Sequence, residues 1–222
     1  MKLSGSRDRF KEAPWYNPDQ SVTIGGVGSI GSWLTIFMGR LVNTIYIYDF
    51  DKVEAHNLSG QAYGVGNVDQ EKAEAIKVTC KSLNPNTNIK KRGKFTKDSG
   101  VTPVCFACFD NMKARRHMFE SWKSLDGRQL FIDGRLTAEQ YWLYAVTPEN
   151  EDTYDKEILL DDGEFEELPC SFKSTTHISA ALASAMTTAF TNYCYNIQVD
   201  NIRTLPFEAT FAASLFRYTV DS

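Results

Sequence analysis

The residues best suited to chemistry in this 222-residue chain are one glycine-rich run and the acids that follow it. Gly26-Val27-Gly28-Ser29-Ile30-Gly31 is a G-x-G-x-x-G lying after a β-prone stretch, Ser21-Val22-Thr23-Ile24, and before a longer apolar one. In that context the first glycine allows a tight turn, and the second lets a phosphate approach the backbone. The third lets helix and strand pack closely, and the helix N-terminus offers unpaired N–H groups. Asp49 closes the next β-prone stretch about 20 residues on, where an acid accepts hydrogen bonds from ribose hydroxyls. A nucleotide with free ribose hydroxyls is implied, although these residues alone do not separate ATP from NAD, and a glycine turn that binds nothing is the plain alternative.

The elements that must position this loop follow from periodicity. Residues 21–24 read as a strand, 32–41 as a buried helix and 44–49 as a second strand, which together make a βαβ unit. Residues 71–83 carry Ala, Glu, Lys and Ile at helical spacing and stop at Asn84-Pro85, because a residue before proline leaves the helical region. A buried strand is expected over 101–109, a charged helix through Lys113 and Glu120, a strand at 130–132, an antiparallel extension over 141–146 and a packed helix over 179–195. The alternation predicts an α/β, Rossmann-like fold: a mainly parallel central sheet with helices on both faces. The expected organisation is a single nucleotide-binding domain over residues 1–222, with a core over 21–146, an acidic surface loop or lid over 150–167, and a C-terminal helix and tail over 170–222.

Composition narrows the classes. A net charge of -4 gives no bulk attraction to a phosphate backbone, so nucleic acid is not an expected partner. No apolar run approaches the roughly 20 residues that span a bilayer, and residues 1–8 lack the apolar core of a secretory signal. An odd count of five cysteines suits a reducing compartment, so the chain reads as cytoplasmic and without disulfides. Cys105 and Cys108 have half-zinc-site spacing inside an apolar run, and the preferred reading is two small side chains in a buried strand. His56, His117 and His177 sit in no recognisable catalytic motif, which counts against an oxidoreductase.

Residues 48–61, Tyr-Asp-Phe-Asp-Lys-Val-Glu-Ala-His-Asn-Leu-Ser-Gly-Gln, resemble the D-x-D-x-V-E-x-x-N-L-x-R-Q signature of the ThiF/MoeB superfamily, the adenylyltransferases related to ubiquitin-activating enzymes. The likeness continues through Asp69-Gln70-Glu71-Lys72-Ala73-Glu74, Leu83-Asn84-Pro85 and Cys108-Phe109-Asp110-Asn111. This resemblance implies ATP-dependent, Mg²⁺-assisted adenylation of the C-terminal carboxylate of a ubiquitin-like or sulfur-carrier protein ending in Gly-Gly, or of a peptide, by a homodimer. It implies that Gly26, Gly28 and Gly31 shape the phosphate turn, Asp49 and Asp51 serve the nucleotide, and Lys72 neutralises phosphate charge. Asp110 would hold Mg²⁺, or else cap the following helix. Asn57 would lie near the phosphates or tie its own loop, and Gln61 is similarly ambiguous.

The sequence departs from the pattern at Gly60, which stands where the signature arginine contacts the triphosphate. Arg7 and Arg9 resemble an N-terminal segment that family dimers insert into the partner's site, and Arg40, Arg115, Arg116 and Arg135 are further candidate bases. Cys170, followed by Lys173 and His177, loosely resembles the crossover loop that holds a catalytic thiol, so a thioester step is a further expectation. The family's paired Cys-x-x-Cys motifs are missing, so zinc is not expected. Alternative readings are a nucleotide-binding scaffold whose catalysis was lost with the arginine, and an NAD-dependent oxidoreductase.

Overall fold

The computed structural model describes residue 5 and residues 7–159, 175–200 and 202–221. In chain order these form β1 (Ser21–Gly25), α1 (Ser29–Leu41), β2 (Thr44–Tyr48), α2 (Lys72–Leu83), β3 (Asn88–Lys91), β4 (Val104–Ala107), α3 (Met112–Lys123), β5 (Leu130–Thr137) and β6 (Gln140–Val146). A short helix α4 (Glu151–Thr153) runs into a π-turn (Tyr154–Ile158), and α5 (Thr176–Asn196), β7 (Glu208–Ala212) and β8 (Arg217–Asp221) complete the chain. All eight strands share one sheet in the order β3-β2-β1-β4-β5-β6-β7-β8. Pairing is parallel from β3 through β5 and antiparallel from β5 through β8. This is the expected mainly parallel α/β sheet with its antiparallel extension.

Strand period places successive side chains on opposite faces, and in the central strands both faces are buried. Val22, Ile24, Ile45, Ile47, Val104, Phe106, Leu130 and Ile132 face a core shared with residues of α1, α2 and α5. Cys105, Ala107 and Phe131 face a second core with Met118, Phe119 and Trp122 of α3 and with Tyr154. The odd separation of Cys105 and Cys108 sends their thiols to different cores, so the pair is not half of a metal site. Burial pushes both thiols up, Cys108 to about 12.

Three segments differ from the sequence expectation. Asn88-Ile89-Lys90-Lys91 forms the edge strand β3 although only Ile89 is buried. The tail folds as a hairpin, its turn closed by Phe216 in the left-handed region at φ 49°. The acidic segment is packed as far as Leu159, where Tyr154 is fully buried and Glu151 receives both Arg128 Nε at 2.7 Å and a terminal guanidinium nitrogen at 3.0 Å. Its remainder, 160–167, lies outside the described residues.

The topology creates one place where connections diverge. From β1 the chain turns through α1 to β2 on one side, while β4, the neighbour on the other side, is reached only after β3. Ligands in open α/β sheets bind beyond the carboxyl ends of strands at such a switch point. Here those ends are Gly25-Gly26 of β1 and Cys108-Phe109-Asp110 after β4, tied by the Cys108 N–H donating to Gly25 O at 2.8 Å.

Candidate active site

The turn after β1 divides its glycines by what surrounds them. Gly26 has φ +82°, and a Cβ there would lie 2.9 Å from the Cys108 carbonyl oxygen. At Gly31 a Cβ would lie 1.9 Å from the Gly26 carbonyl oxygen, closer than any real contact. Gly28 is open: the nearest atom to its Cβ position is Gln61 Nε2 at 4.0 Å. The first and third glycines therefore serve backbone approach, and the second faces space. Gly28 caps α1, whose first-turn N–H groups give this opening a positive partial charge.

Asp49 stands behind the turn. Its Oδ2 accepts the Val27 N–H at 2.8 Å and its Oδ1 the Asp51 N–H at 2.9 Å. Burial raises its pKa above the ordinary carboxylate range; the two N–H bonds and nearby Lys72 oppose that shift. Two oxygens carry four lone-pair sites, so capacity remains for ligand hydroxyls.

Lys72 reaches this group through a clasp that closes the long loop after β2. Lys72 N–H donates to Asp51 O at 2.9 Å, Asp69 N–H to Val53 O at 2.9 Å and Val53 N–H to Gln70 O at 2.8 Å. The buried Lys72 ammonium then meets Asp51 Oδ2 at 3.0 Å. Tyr63 reinforces the arrangement, donating its hydroxyl to Val27 O at 2.6 Å with Lys72 O at 3.4 Å. A continuous polar path thus runs from the glycine turn through Asp49 and Asp51 to Lys72.

Asn57 ties its own loop: its Oδ1 accepts the Glu54 N–H at 2.9 Å, and its own N–H donates to the Glu54 carbonyl at 2.9 Å. Gln61 Oε1 is buried without a hydrogen-bond partner beside the open face of Gly28. Buried polar atoms are normally paired, and this orphan oxygen can pair only with a group that donates a hydrogen bond. Gly60 is itself buried, its carbonyl accepting the Trp33 indole N–H at 3.2 Å.

Asp110 is exposed just beyond β4, with Asn111 Nδ2 3.2 Å from its Oδ1. The cap of α3 is not Asp110 but Asn111, whose Oδ1 accepts the Ala114 N–H at 2.9 Å. The strand end that carries Asp110 is held by residues with no motif to announce them. Asp133, fully buried, accepts from Arg115, from Arg135 Nε at 2.7 Å and from the Tyr154 hydroxyl at 2.9 Å. Arg115 in turn donates to the carbonyls of Phe109 and Gly134. Burial, helped by Arg135, lowers the Arg115 pKa to about 10. An aspartate inside the apolar run Leu130-Phe131-Ile132-Asp133 was the available sequence signal for this network.

The candidate bases are mostly committed elsewhere. Arg115 and Arg135 hold Asp133, and Arg116 donates to Leu159 O. Arg7 donates to Asn43 Oδ1, to Val42 O at 2.6 Å and to Gly39 O at 3.1 Å. Those groups lie at the C-terminal end of α1, about 20 Å along the helix from Gly28. Arg7 is thus a helix clamp within its own chain, and exposed Arg40 shares that distant end. Cys170 and Lys173 lie outside the described residues. His177 is exposed in the first turn of α5, where neighbouring Thr176 donates its hydroxyl to Ser59 O, so α5 begins beside the turn leading to Gly60.

Comparison with known proteins agrees with this geometry. The ThiF family model matches residues 18–194. Ubiquitin-like modifier-activating enzyme 5 of Caenorhabditis briggsae is 28% identical over 115 residues, 44% of this chain and 27% of that protein. Its Bombyx mori counterpart is 25% identical over 126 residues, 49% of this chain and 32% of that protein. The chain therefore spans about a third or less of the curated relatives it matches. Among solved structures, PaaA superposes with TM-score 0.73 at 14% identity, over 98% of this chain and 68% of that one. E. coli MccB with ATP gives 0.68 at 15%, over 98% and 65%. With the family model spanning well over half of the 222 residues, the chain belongs to the ThiF family.

Proposed function

We propose that this chain is an ATP-dependent adenylyltransferase that activates the C-terminal carboxylate of a small protein or peptide. The observation that carries this reading is the polar path from the glycine turn through Asp49 and Asp51 to Lys72, which converges parts of the chain far apart in sequence on one strand end. Such convergence has no use in a plain glycine turn. A likeness to MccB, solved with ATP and with N-formylated MccA, and to ubiquitin-like modifier-activating enzyme 5 supports a carboxylate-bearing polypeptide as substrate.

In this reading the triphosphate lies over Gly28 against the first turn of α1, and Asp49 accepts the ribose hydroxyls. A carboxylate oxygen of the substrate attacks the α-phosphorus while the bond from phosphorus to the pyrophosphate oxygen breaks. Lys72 swings from Asp51 to meet the charge that develops on the leaving pyrophosphate, in a setting where preorganised charge is most effective. Asp110 would hold Mg²⁺, which usually takes one or two carboxylates and completes its shell with phosphate oxygens and water. Bound there, Mg²⁺ would neutralise phosphate charge. Asn57 acts by shaping the loop, and Gln61 offers its Nε2 donor to the turn. Cys170, outside the described residues, is the proposed acceptor for a following thioester on its sequence context alone, with Lys173 and His177 following it.

Substrate-dependent exchange of labelled pyrophosphate into ATP tests the reading, using peptides and small proteins ending in Gly-Gly. Exchange that disappears in Lys72→Ala supports it; no exchange with any substrate, alongside calorimetric preference for NAD over Mg-ATP, refutes it. One observation favours a second reading, a nucleotide-binding scaffold: Gly60 supplies no charge where the family signature has arginine. Mg-ATP binding without exchange is its signature.

A further inference from the structure

The edge strand β3 lies well inside the chain, with described residues on both sides, and pairs only with β2, in parallel. The Asn88 N–H donates to Asn43 O at 2.7 Å and the Arg92 N–H to Ile47 O at 2.8 Å, so residues 88, 90 and 92 turn their main-chain groups toward β2. The residues between them turn theirs the opposite way. The N–H and C=O groups of Ile89 and Lys91 therefore face outward, and among the described residues none pairs with them. An edge of this kind is a template for a further strand.

The side chains select which strand can use it. Ile89 is buried in the core shared with α1, α2 and α5, and Lys91, on the same face, is held by Glu71 and Glu74, each at 2.9 Å. Lys90 and Arg92 project on the other face, their charges 5.5 and 5.1 Å from the ring centre of Tyr46, the β2 partner of Lys90. Lys94 continues the row, 5.2 Å from the ring centre of exposed Phe50. Lys72, Lys77, Lys123 and Arg128 are each ion-paired. Lys90, Arg92 and Lys94 are exposed, and among the described residues none of the three has a carboxylate partner. In a chain of net charge -4 this is a local excess of unopposed positive charge. Charge on an edge strand blunts it against ordinary strands, yet the same charge favours an acidic one, because opposite charges are good cross-strand neighbours. Blunting alone needs no cations beyond the end of β3, where Arg92 and Lys94 lie.

We propose that β3 docks an extended acidic segment of another protein as an added strand. Side chains two residues apart on a strand are about 6.4–6.8 Å apart, so carboxylates at alternate positions of the incoming segment match Lys90 and Arg92. Main-chain bonds to Ile89 and Lys91 supply the rest of the affinity, as in other β-strand additions. A nucleic acid fits less well, since phosphate oxygens only accept hydrogen bonds and would leave the outward carbonyls of Ile89 and Lys91 unpaired. The proposal is independent of the nucleotide site and uses none of its residues.

The probe is a fluorescein-labelled peptide of about nine residues that alternates glutamate with threonine, followed by anisotropy against the full chain. So small an interface gives micromolar, salt-sensitive binding. Lys90→Glu/Arg92→Glu is expected to weaken it about tenfold or more. Lys113→Glu/Lys156→Glu, an equal change of net charge at exposed positions of α3 and the π-turn, should leave it within about twofold. Bound peptide should slow hydrogen exchange at the Ile89 and Lys91 amides. Lys91→Pro, which removes one outward N–H and no bond to β2, should weaken binding although Lys90 and Arg92 remain; if circular dichroism shows that this variant does not fold, the exchange of the two amides decides. No saturable binding of the peptide, binding that survives Lys90→Glu/Arg92→Glu, unchanged exchange at Ile89 and Lys91, or tighter binding of an oligothymidylate of equal charge would overturn the proposal.

Discussion

Replacing the three glycines of the turn one at a time separates folding from ligand approach. At Gly31 an added methyl would sit 1.9 Å from the Gly26 carbonyl oxygen. Ordinary contact begins near 3.4 Å, so the start of α1 must retreat by about 1.5 Å from a strand end that is itself hydrogen-bonded to β2 and β4. Overpacking of this kind costs about 1–3 kcal/mol or more, which for a chain of this size lowers Tm by about 2–12 °C. Gly26→Ala meets the Cys108 carbonyl at 2.9 Å and must also hold alanine at φ +82°, a left-handed conformation worth about 1–2 kcal/mol by itself. Gly28→Ala meets nothing nearer than Gln61 Nε2 at 4.0 Å and should stay within about 1 kcal/mol of the parent chain. Its methyl nonetheless projects into the space assigned to the triphosphate. Urea denaturation and calorimetry with Mg-ATP read the two effects separately. The expected stability order is parent, Gly28→Ala, Gly26→Ala, Gly31→Ala, with Gly28→Ala losing at least about tenfold in nucleotide affinity, or roughly 1.4 kcal/mol. A Gly28→Ala chain that binds Mg-ATP like the parent, or that unfolds as early as Gly31→Ala, refutes the division of labour.

Further expectations rest on the buried polar groups. Asp133→Asn leaves the guanidinium of buried Arg115 without its counter-charge and should destabilise the chain by about 3–5 kcal/mol, whereas Tyr154→Phe, which removes one hydroxyl bond, should cost about 1 kcal/mol; equal and small effects in urea would sink the network argument. Asp49 holds its proton more tightly folded than unfolded because burial raises its pKa, so its contribution makes stability fall as pH rises from its ordinary value through its raised one. Nucleotide binding needs the ionised form and should weaken on the acid side at a higher pH than an ordinary aspartate would dictate; Asp49→Asn should bind more weakly and flatten that limb in a calorimetric pH series. Cys170→Ser should leave pyrophosphate exchange intact while removing any thiol-sensitive adduct with the substrate, and loss of both together would show that the residue serves the first step.

How much of this was legible in the sequence depended on whether a residue's environment is set locally. The unit from β1 through β2 was readable because its apolar runs, glycines and terminal acid all follow chain order. β3 was not, since only Ile89 of its four residues is buried. Nor was the β7–β8 hairpin, whose second strand buries no side chain and so leaves no hydrophobic alternation to detect. Tyr154 was hidden among acidic neighbours that are ion-paired to Lys123 rather than solvating a loop. The Asp133 network escaped because its partners come from α3, β5 and the π-turn, a meeting fixed by packing alone. The reverse error occurred at Arg7: the local motif was readable, but its destination at the end of α1 depends on Val42, Asn43 and Thr87.

Charge at the site carries the argument one step further. Among the site residues named above, Lys72 is the one ammonium against the carboxylates of Asp49, Asp51 and Asp110, and Lys72 is already held by Asp51 at 3.0 Å. Gly60 adds nothing, and the arginines nearest in sequence are spent on Asp133, on Leu159 O or at the far end of α1. Among these four side chains a triphosphate would meet more negative than positive charge, with Lys72, the helix N-terminus and backbone N–H groups in its favour. Affinity for ATP should therefore depend steeply on Mg²⁺, far more than it would with an arginine at position 60. Gly60→Arg tests the balance in one step. If it strengthens Mg-ATP binding and relaxes the Mg²⁺ requirement without altering fold stability, the missing charge is what limits the site. If the buried backbone at Gly60 rejects the side chain and the chain unfolds, the glycine is held by packing against Trp33, and its role at this position is structural.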